Sequence, residues 1–331
     1  MVVGDSTGGT VWTVAFHPDG MYFFGGMSDG IRRWRVADGQ EVGKQTGMNM
    51  NAISVSRDGE WIVCGTTAGA SVWDAELKRK VVEVDVRITV WAVDVSPVST
   101  RFATGTGWGG KASIWSITTG ERLVDLLKHD TASDFYGIQF SPDGGQIATA
   151  CQDSIHISDS YNGDQLITIE NTLPGKFLMT PVVWPSNGRL FAVSEGGKIK
   201  SFDTSTGSQL AEWQIHSHGN DTRCMSITLP ADNRFIASSA GHSVSFWDTS
   251  THIQLGSGLE DADQIQSIGL SSDGTRLATG GEKNKTITIW NLRDILPDSY
   301  LPITVSTTFP MLGRAITFVY RSKTLVPEPR T

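Results

Sequence analysis

The chain has 331 residues, 39% of them hydrophobic, with 36 glycines, 11 tryptophans and a formal net charge of −8. An acidic chain of pI about 5.4 repels phosphate, which argues against a nucleic-acid partner. No apolar run approaches the roughly 18 residues of a membrane span, so no membrane association is expected. The first residues also lack the basic-then-apolar pattern of a secretory leader.

Residues 1–9 are short for a full strand, but Val2-Val3 reads as the tail of an outer strand that precedes the first repeat. From Val11 to Trp34 the chain runs VWTVAFHPDGMYFFGGMSDGIRRW. Apolar residues alternate, as they do on strands, and Pro-Asp-Gly and Ser-Asp-Gly supply the turns. The unit reads as an antiparallel meander that cannot bury both faces alone. It recurs. The equivalents of Gly20 are Gly59, Ser99, Gly144, Gly188, Asn233 and Gly274, spaced 39 to 45 residues apart. The equivalents of Trp34 are Trp73, Trp115, Ser158, Phe202, Trp247 and Trp290. A third mark, five residues on, is Gly39, Gly120, Gly163 and Gly207. A period of about 40–45 residues with four strands is one propeller blade. The expected fold is therefore all-β: a seven-bladed β-propeller of four-stranded antiparallel blades.

The expected blades span about 10–47, 48–85, 86–129, 130–171, 172–216, 217–260 and 261–303. Residues 1–303 are read as the propeller and 304–331 as a C-terminal extension. Blade three loses Asp-Gly at Ser99, and Gly107-Trp108-Gly109-Gly110 enlarges its second turn. Blade four places Ser158 in the Trp slot. Blade five has the longest apolar lead-in, Leu173 to Trp184, and blade six a polar one, His216 to Asp221. Pro302 to Thr308 could supply the last outer strand. Beyond it, Arg314 to Phe318 reads as a strand packed on the ring, the start of an eighth blade, or disorder. Val326 to Thr331 is expected to be mobile.

Trp73-Asp74 and Trp247-Asp248, each after an alternating strand, resemble the dipeptide of WD-repeat β-propellers. Phe140 to Ala150 and Leu270 to Asn291 resemble that family's first strands and turns. The resemblance covers about residues 2–303. It implies the propeller fold and a scaffold or recognition role. The family usually sets Gly-His before the first strand of each blade; here the matching pairs include Ser6-Thr7 and Gln45-Thr46. The matching turn acid survives plainly only as Asp29 and Asp153. Apolar packing with degenerate polar stitching is the expectation.

No enzymatic constellation emerges. Phosphate-loop and serine-hydrolase motifs are missing. Cys64, Cys151 and Cys224 form no C-x-x-C and read as packed thiols of a reducing compartment. His216 and His218 could share a strand face, but no third metal ligand is placed by sequence. Asp159, Asp203 and Asp248 recur at one phase, which favours a structural role. No catalytic, cofactor-binding or metal residue is nominated, and no cofactor is expected.

The starts of the inner strands and the turns between second and third strands fall at one end of a propeller. From the strand starts the ring comprises Thr10, Trp12, Asn49, Asn51, Thr89, Trp91, Tyr136, Phe177, Met179 and Arg223. From the turns it adds Asp29, Trp108, Gln152, Glu195, His242 and Lys283. Trp12, Trp91 and Tyr136 are read either as packed between blades or as rim anchors, and Trp108 as exposed. Aromatic, amide and scattered charged residues suit a protein or peptide surface. The expected function is a non-catalytic scaffold or recognition module binding protein or peptide on one face. The alternatives are an enzyme on a propeller, lactonase-like or hydrolase-associated, and a sensor part of a larger NTPase-linked protein. The expected compartment is the cytoplasm, with the nucleus as the alternative.

Overall fold

Blade one shows how the repeat becomes structure. Its strands are Val11–Phe16, Tyr22–Met27, Gly30–Arg35 and Glu41–Thr46, here called a to d, each antiparallel to the next. The computed structural model describes residues 1–3, 9–107, 110–126, 134–173, 181–185, 188–215, 226–283, 285–302, 305–309 and 316–320. For 2–3, 305–309 and 316–320 the description is of the backbone. Seven four-stranded sheets follow one another in order, and the a strands of neighbouring blades approach each other around the axis. The helical elements among the described residues are two short 3-10 turns, Leu292–Asp294 and Asp298–Tyr300. The expected all-β, seven-bladed propeller is what the chain forms.

The repeat marks are backbone requirements. Gly20 and its six equivalents all have positive φ, from +55° at Ser99 to +77° at Gly59. The turn imposes that conformation, and Ser99 and Asn233 accept it without being glycine. In blade six the third mark is filled by His252, at φ +59°. The Asp after the Trp slot ties the turn between strands c and d. Asp203 Oδ1 accepts from the backbone N–H of Ser205 and Thr206 at 2.8 and 2.9 Å. Asp159 and Asp248 accept from their own turns in the same way. At the turn between a and b, Ser141 and Ser271 donate to Asp143 and Asp273.

Large side chains fill the spaces between blades. Trp34, Trp73, Trp115 and Trp247 are buried, and Phe202 takes the same slot in blade five. Polar stitching persists in part. Trp115 Nε1 donates to Thr104 Oγ1 at 2.9 Å, and Trp247 to Ser238 at 3.0 Å. In blade seven Trp290 donates to Thr279, which donates to Asp261 at 2.5 Å; an acid stands where the family's His would. Trp290 itself is only half-buried, less than the largely buried position expected of the Trp slot. In other blades strand d pairs across from the Trp, as Trp115 pairs with Arg122, but the outer strand of blade seven stops short.

That outer strand is Val2–Val3, paired with Thr288 and Ile287 of strand c, Ile287–Asn291. Met1 extends the pairing: its amino group donates to Ile289 O at 2.8 Å. The ring is closed by the N-terminal segment, one of the two solutions expected. The other is corrected: Val305–Phe309 pairs with Ile316–Tyr320 in a separate two-stranded sheet, because those two segments satisfy each other's ladder. Cys64 and Cys151 are buried free thiols, each pushed up to about 12 by burial. Cys224, His216 and His218 lie outside the described residues.

Candidate functional site

The nominated ring is set by one recurring irregularity. Strands a and b slip register between Val11 and Thr13, Met50 and Ala52, Val90 and Ala92, and Ile265 and Ser267. The residues skipped are Trp12, Asn51, Trp91 and Gln266. A bulge leaves its extra residue unpaired and bends the strand, so four blades hold a large side chain at the same height near the axis. Gln266 went unnominated; its phase with Trp12 was the signal available.

Just outside the bulges, each incoming chain is tied to a turn between strands b and c. Thr10 O accepts from Ser28 N, Thr89 O from Gly107 N, Gln152 O from Leu173 N, and His242 O from Asp261 N, at 2.8–3.1 Å. Lys283 N donates to the buried Asp263 carboxylate at 3.1 Å. Asp29 Oδ2 accepts from Arg32 at 2.8 Å. Asn49, Glu195, His242 and Lys283 are exposed, while Thr10, Trp12, Asp29, Thr89, Trp91 and Gln152 are half-buried. Tyr136 is only 4% exposed, and its hydroxyl donates to Asp134 at 3.2 Å. Trp108, Phe177, Met179 and Arg223 lie outside the described residues.

The axis holds a small cavity of about 70 Å³. Thr13, Asn51, Trp91, Tyr136 and Val182 line it, one from each of blades one to five. Asn51 is buried, and among the described residues its Nδ2 donor has no partner; neither has Trp12 Nε1. An unpaired buried donor costs about 1–3 kcal/mol, so these groups are poised for an acceptor. Among the described residues no three His, Cys, Asp or Glu side chains gather as a metal group.

Toward the other end of the channel Asp94 joins three blades. It accepts from Phe140 N of blade four at 2.8 Å and from Ser54 Oγ of blade two at 3.2 Å. Burial pushes its carboxyl up to about 6 despite those donors. Arg101 does similar work between blades three and four. It is buried and donates to Ser160 O, Gly144 O and Ser160 Oγ at 2.6–3.1 Å. No helix among the described residues is long and apolar enough to cross a membrane.

The family model described as WD domain, G-beta repeat, matches residues 2–35 and 255–291. Each match begins on an outer strand and ends after strand c, so the sequence repeat is offset from the blade by one strand. Among curated proteins the chain is similar to eukaryotic translation initiation factor 3 subunit I of Emericella nidulans, 27% identical over 184 residues. That covers 51% of this chain and 53% of the relative. The same subunit of Neosartorya fischeri is 27% identical over 186 residues, 51% and 54% of the two chains. That of Debaryomyces hansenii is 24% identical over 197 residues, 54% and 55%. The chain spans about half the length of the curated relatives it matches.

Proposed function

We propose that this seven-bladed β-propeller is a non-catalytic WD-repeat scaffold binding protein or peptide at the end where its inner strands begin. The observation that supports this reading is the axial cavity, where Asn51 carries a buried amide donor with no partner among the described residues. A peptide carbonyl or a side-chain amide or carboxylate supplies the acceptor, and the half-buried Trp12 and Trp91 supply apolar contact. Exposed Asn49, Glu195 and Lys283 set orientation at the rim.

The relatives are named as subunits of a translation initiation factor. By that likeness the proposed partners are protein subunits of a translation initiation assembly, and the proposed compartment is the cytoplasm. No enzymatic role is assigned.

The test is co-sedimentation of the tagged chain with initiation factor 3 subunits from its native source. The wild type should travel with them. Asn51→Ala, or the triple variant Asn49→Ala, Glu195→Ala and Lys283→Ala, should reduce the bound fraction about tenfold, equal to ~1.4 kcal/mol. A wild-type chain that sediments alone removes the assembly. Variants that travel like the wild type remove the proposed end of the ring.

A further inference from the structure

The large apolar side chains that stand exposed among the described residues share one end of the propeller, and it is not the end proposed above. Met21 and Val98 sit in turns between strands a and b, and Tyr161 and Ile253 in turns between c and d. Antiparallel alternation puts both kinds of turn at the same end. Leu123, Leu166 and Leu210 are each the second residue of strand d, in Arg122–Leu126, Gln165–Glu170 and Gln209–Gln214. They stand at 46, 49 and 48% exposure, all eight residues after the Trp slot of their blade. Met1, opposite Ile289, lies at the same height on blade seven. Scattered single apolar residues are ordinary on a surface, but a set confined to one end, three of them in phase on consecutive blades, marks an interaction surface.

Neighbouring blades abut at this end. A Cβ at Gly163, two residues from Tyr161, would lie 2.6 Å from Asp125 O on the strand that carries Leu123. A Cβ at Gly207 would lie 2.8 Å from Ile167, beside Leu166. Each turn between c and d thus abuts the outer strand of the preceding blade.

Its charge decides the occupant. At this end the described turns of blades three and four carry Glu121, Asp143, Asp159 and Asp164. The basic residues of blades three to five there are Arg101, buried beneath the Tyr161 ring, Arg122, paired with Asp125 at 3.2 Å, and Arg189, opposite Asp203 in blade five; Arg57 of blade two reaches across to Pro142 O at 3.4 Å, and the acids still outnumber them. A second copy would set acid against acid, and nucleic acid or an anionic bilayer would be repelled. We propose that the rim of blades three to five docks a segment of another protein in which Leu-, Ile- or Val-class side chains are interspersed with Lys or Arg.

The test uses a fluorescein-labelled leucine–lysine peptide and its leucine–glutamate counterpart, titrated with the full chain and read by anisotropy at low salt. The lysine peptide should bind, and the glutamate peptide should not. Replacing Leu123, Tyr161 and Leu166 together by Ser, or Glu121→Gln with Asp164→Asn, should weaken binding about tenfold. The opposite-end triple Asn49→Ala, Glu195→Ala, Lys283→Ala should bind as the wild type does. Should the Ser triple lose its thermal transition, the single change Leu166→Lys serves and should weaken binding in the same direction. Equal binding by all variants, equal binding of the two peptides, or loss confined to the opposite-end triple would overturn the proposal. So would a dimer in sedimentation equilibrium that Leu166→Lys dissolves, since the occupant would then be a second copy.

Discussion

Trp247 Nε1 donates to Ser238 Oγ at 3.0 Å, inside blade six, with the indole 4% exposed. The pair joins strand c to strand b while the ring fills the space between blades. Trp247→Ala should destabilise the fold by about 3–5 kcal/mol, the range for a large buried aromatic. Trp290→Ala should cost clearly less, because that indole is half-buried. Urea midpoints at unchanged slope will measure both. Equal losses would mean that the short outer strand leaves Trp290 no less supported than Trp247.

Arg101 places one guanidinium against two carbonyls and a hydroxyl of blade four. Arg101→Met keeps much of the stem and removes the donors. The expected loss is about 2–3 kcal/mol, since hydrogen bonds from a charged group are among the stronger ones and the Ser160 carbonyl is left unpaired. Arg101→Lys should recover less than half, because a point charge cannot span the fork. Full rescue by Lys would show that charge alone matters there.

Removing residues 1–3 should lower the melting temperature by roughly 2–4 °C for each kcal/mol of lost pairing. Removing residues 304–331 should leave it nearly unchanged, as Val305–Phe309 pairs with Ile316–Tyr320 and not with blade seven. The reverse ranking would place closure in the C-terminal extension.

Asp94 makes stability depend on pH in an unusual direction. Its carboxyl is raised to about 6 in the fold, from the model-compound value of 3.8 expected of the open chain. The folded state therefore holds the proton more tightly. The contribution is fully present below the unfolded value and is lost as pH rises through the folded one. Asp94→Asn removes this dependence. Relative to wild type, the Asn variant should gain stability by roughly 1–3 kcal/mol between about pH 4 and about pH 7. Denaturant titrations at both ends of that window will show it; a constant difference would mean that Asp94 titrates like an exposed carboxylate.

Much of this fold is legible in the sequence, for reasons that differ by residue. Gly20 and its equivalents announce the turns because positive φ is a local requirement, and even Ser99 and Asn233 kept phase. The Trp slot is legible because its spacing is fixed by two hairpins. The bulges at Trp12, Asn51, Trp91 and Gln266 were not, since a register slip depends on how strand b pairs and leaves no local signature. The half-burial of Trp290 was hidden for a similar reason: the outer strand of its blade is Val2–Val3, far away in sequence, and it stops short of the indole. The exposed leucines stood in plain sight at one phase, but the pattern of apolar alternation does not tell an outer strand's inner face from its outer one.

Val2 pairs with Thr288, and this bears on the order of events during synthesis. A ribosome adding about 5–20 residues per second makes the first strand wait on the order of 15–60 seconds for its partner. Blades two to six can assemble on their predecessors meanwhile, each by contacts with its neighbour alone. Blade one cannot finish. Val14 N reaches Ser267 Oγ, and Pro18 O accepts from Ser272, both in blade seven. Until those residues emerge, the nascent chain carries an open seam at the edge of blade one, with Val11 and Val14 bare. A chaperone acting on this protein would have its longest window at that seam, and a ribosome stalled before Thr288 would leave it unsealed.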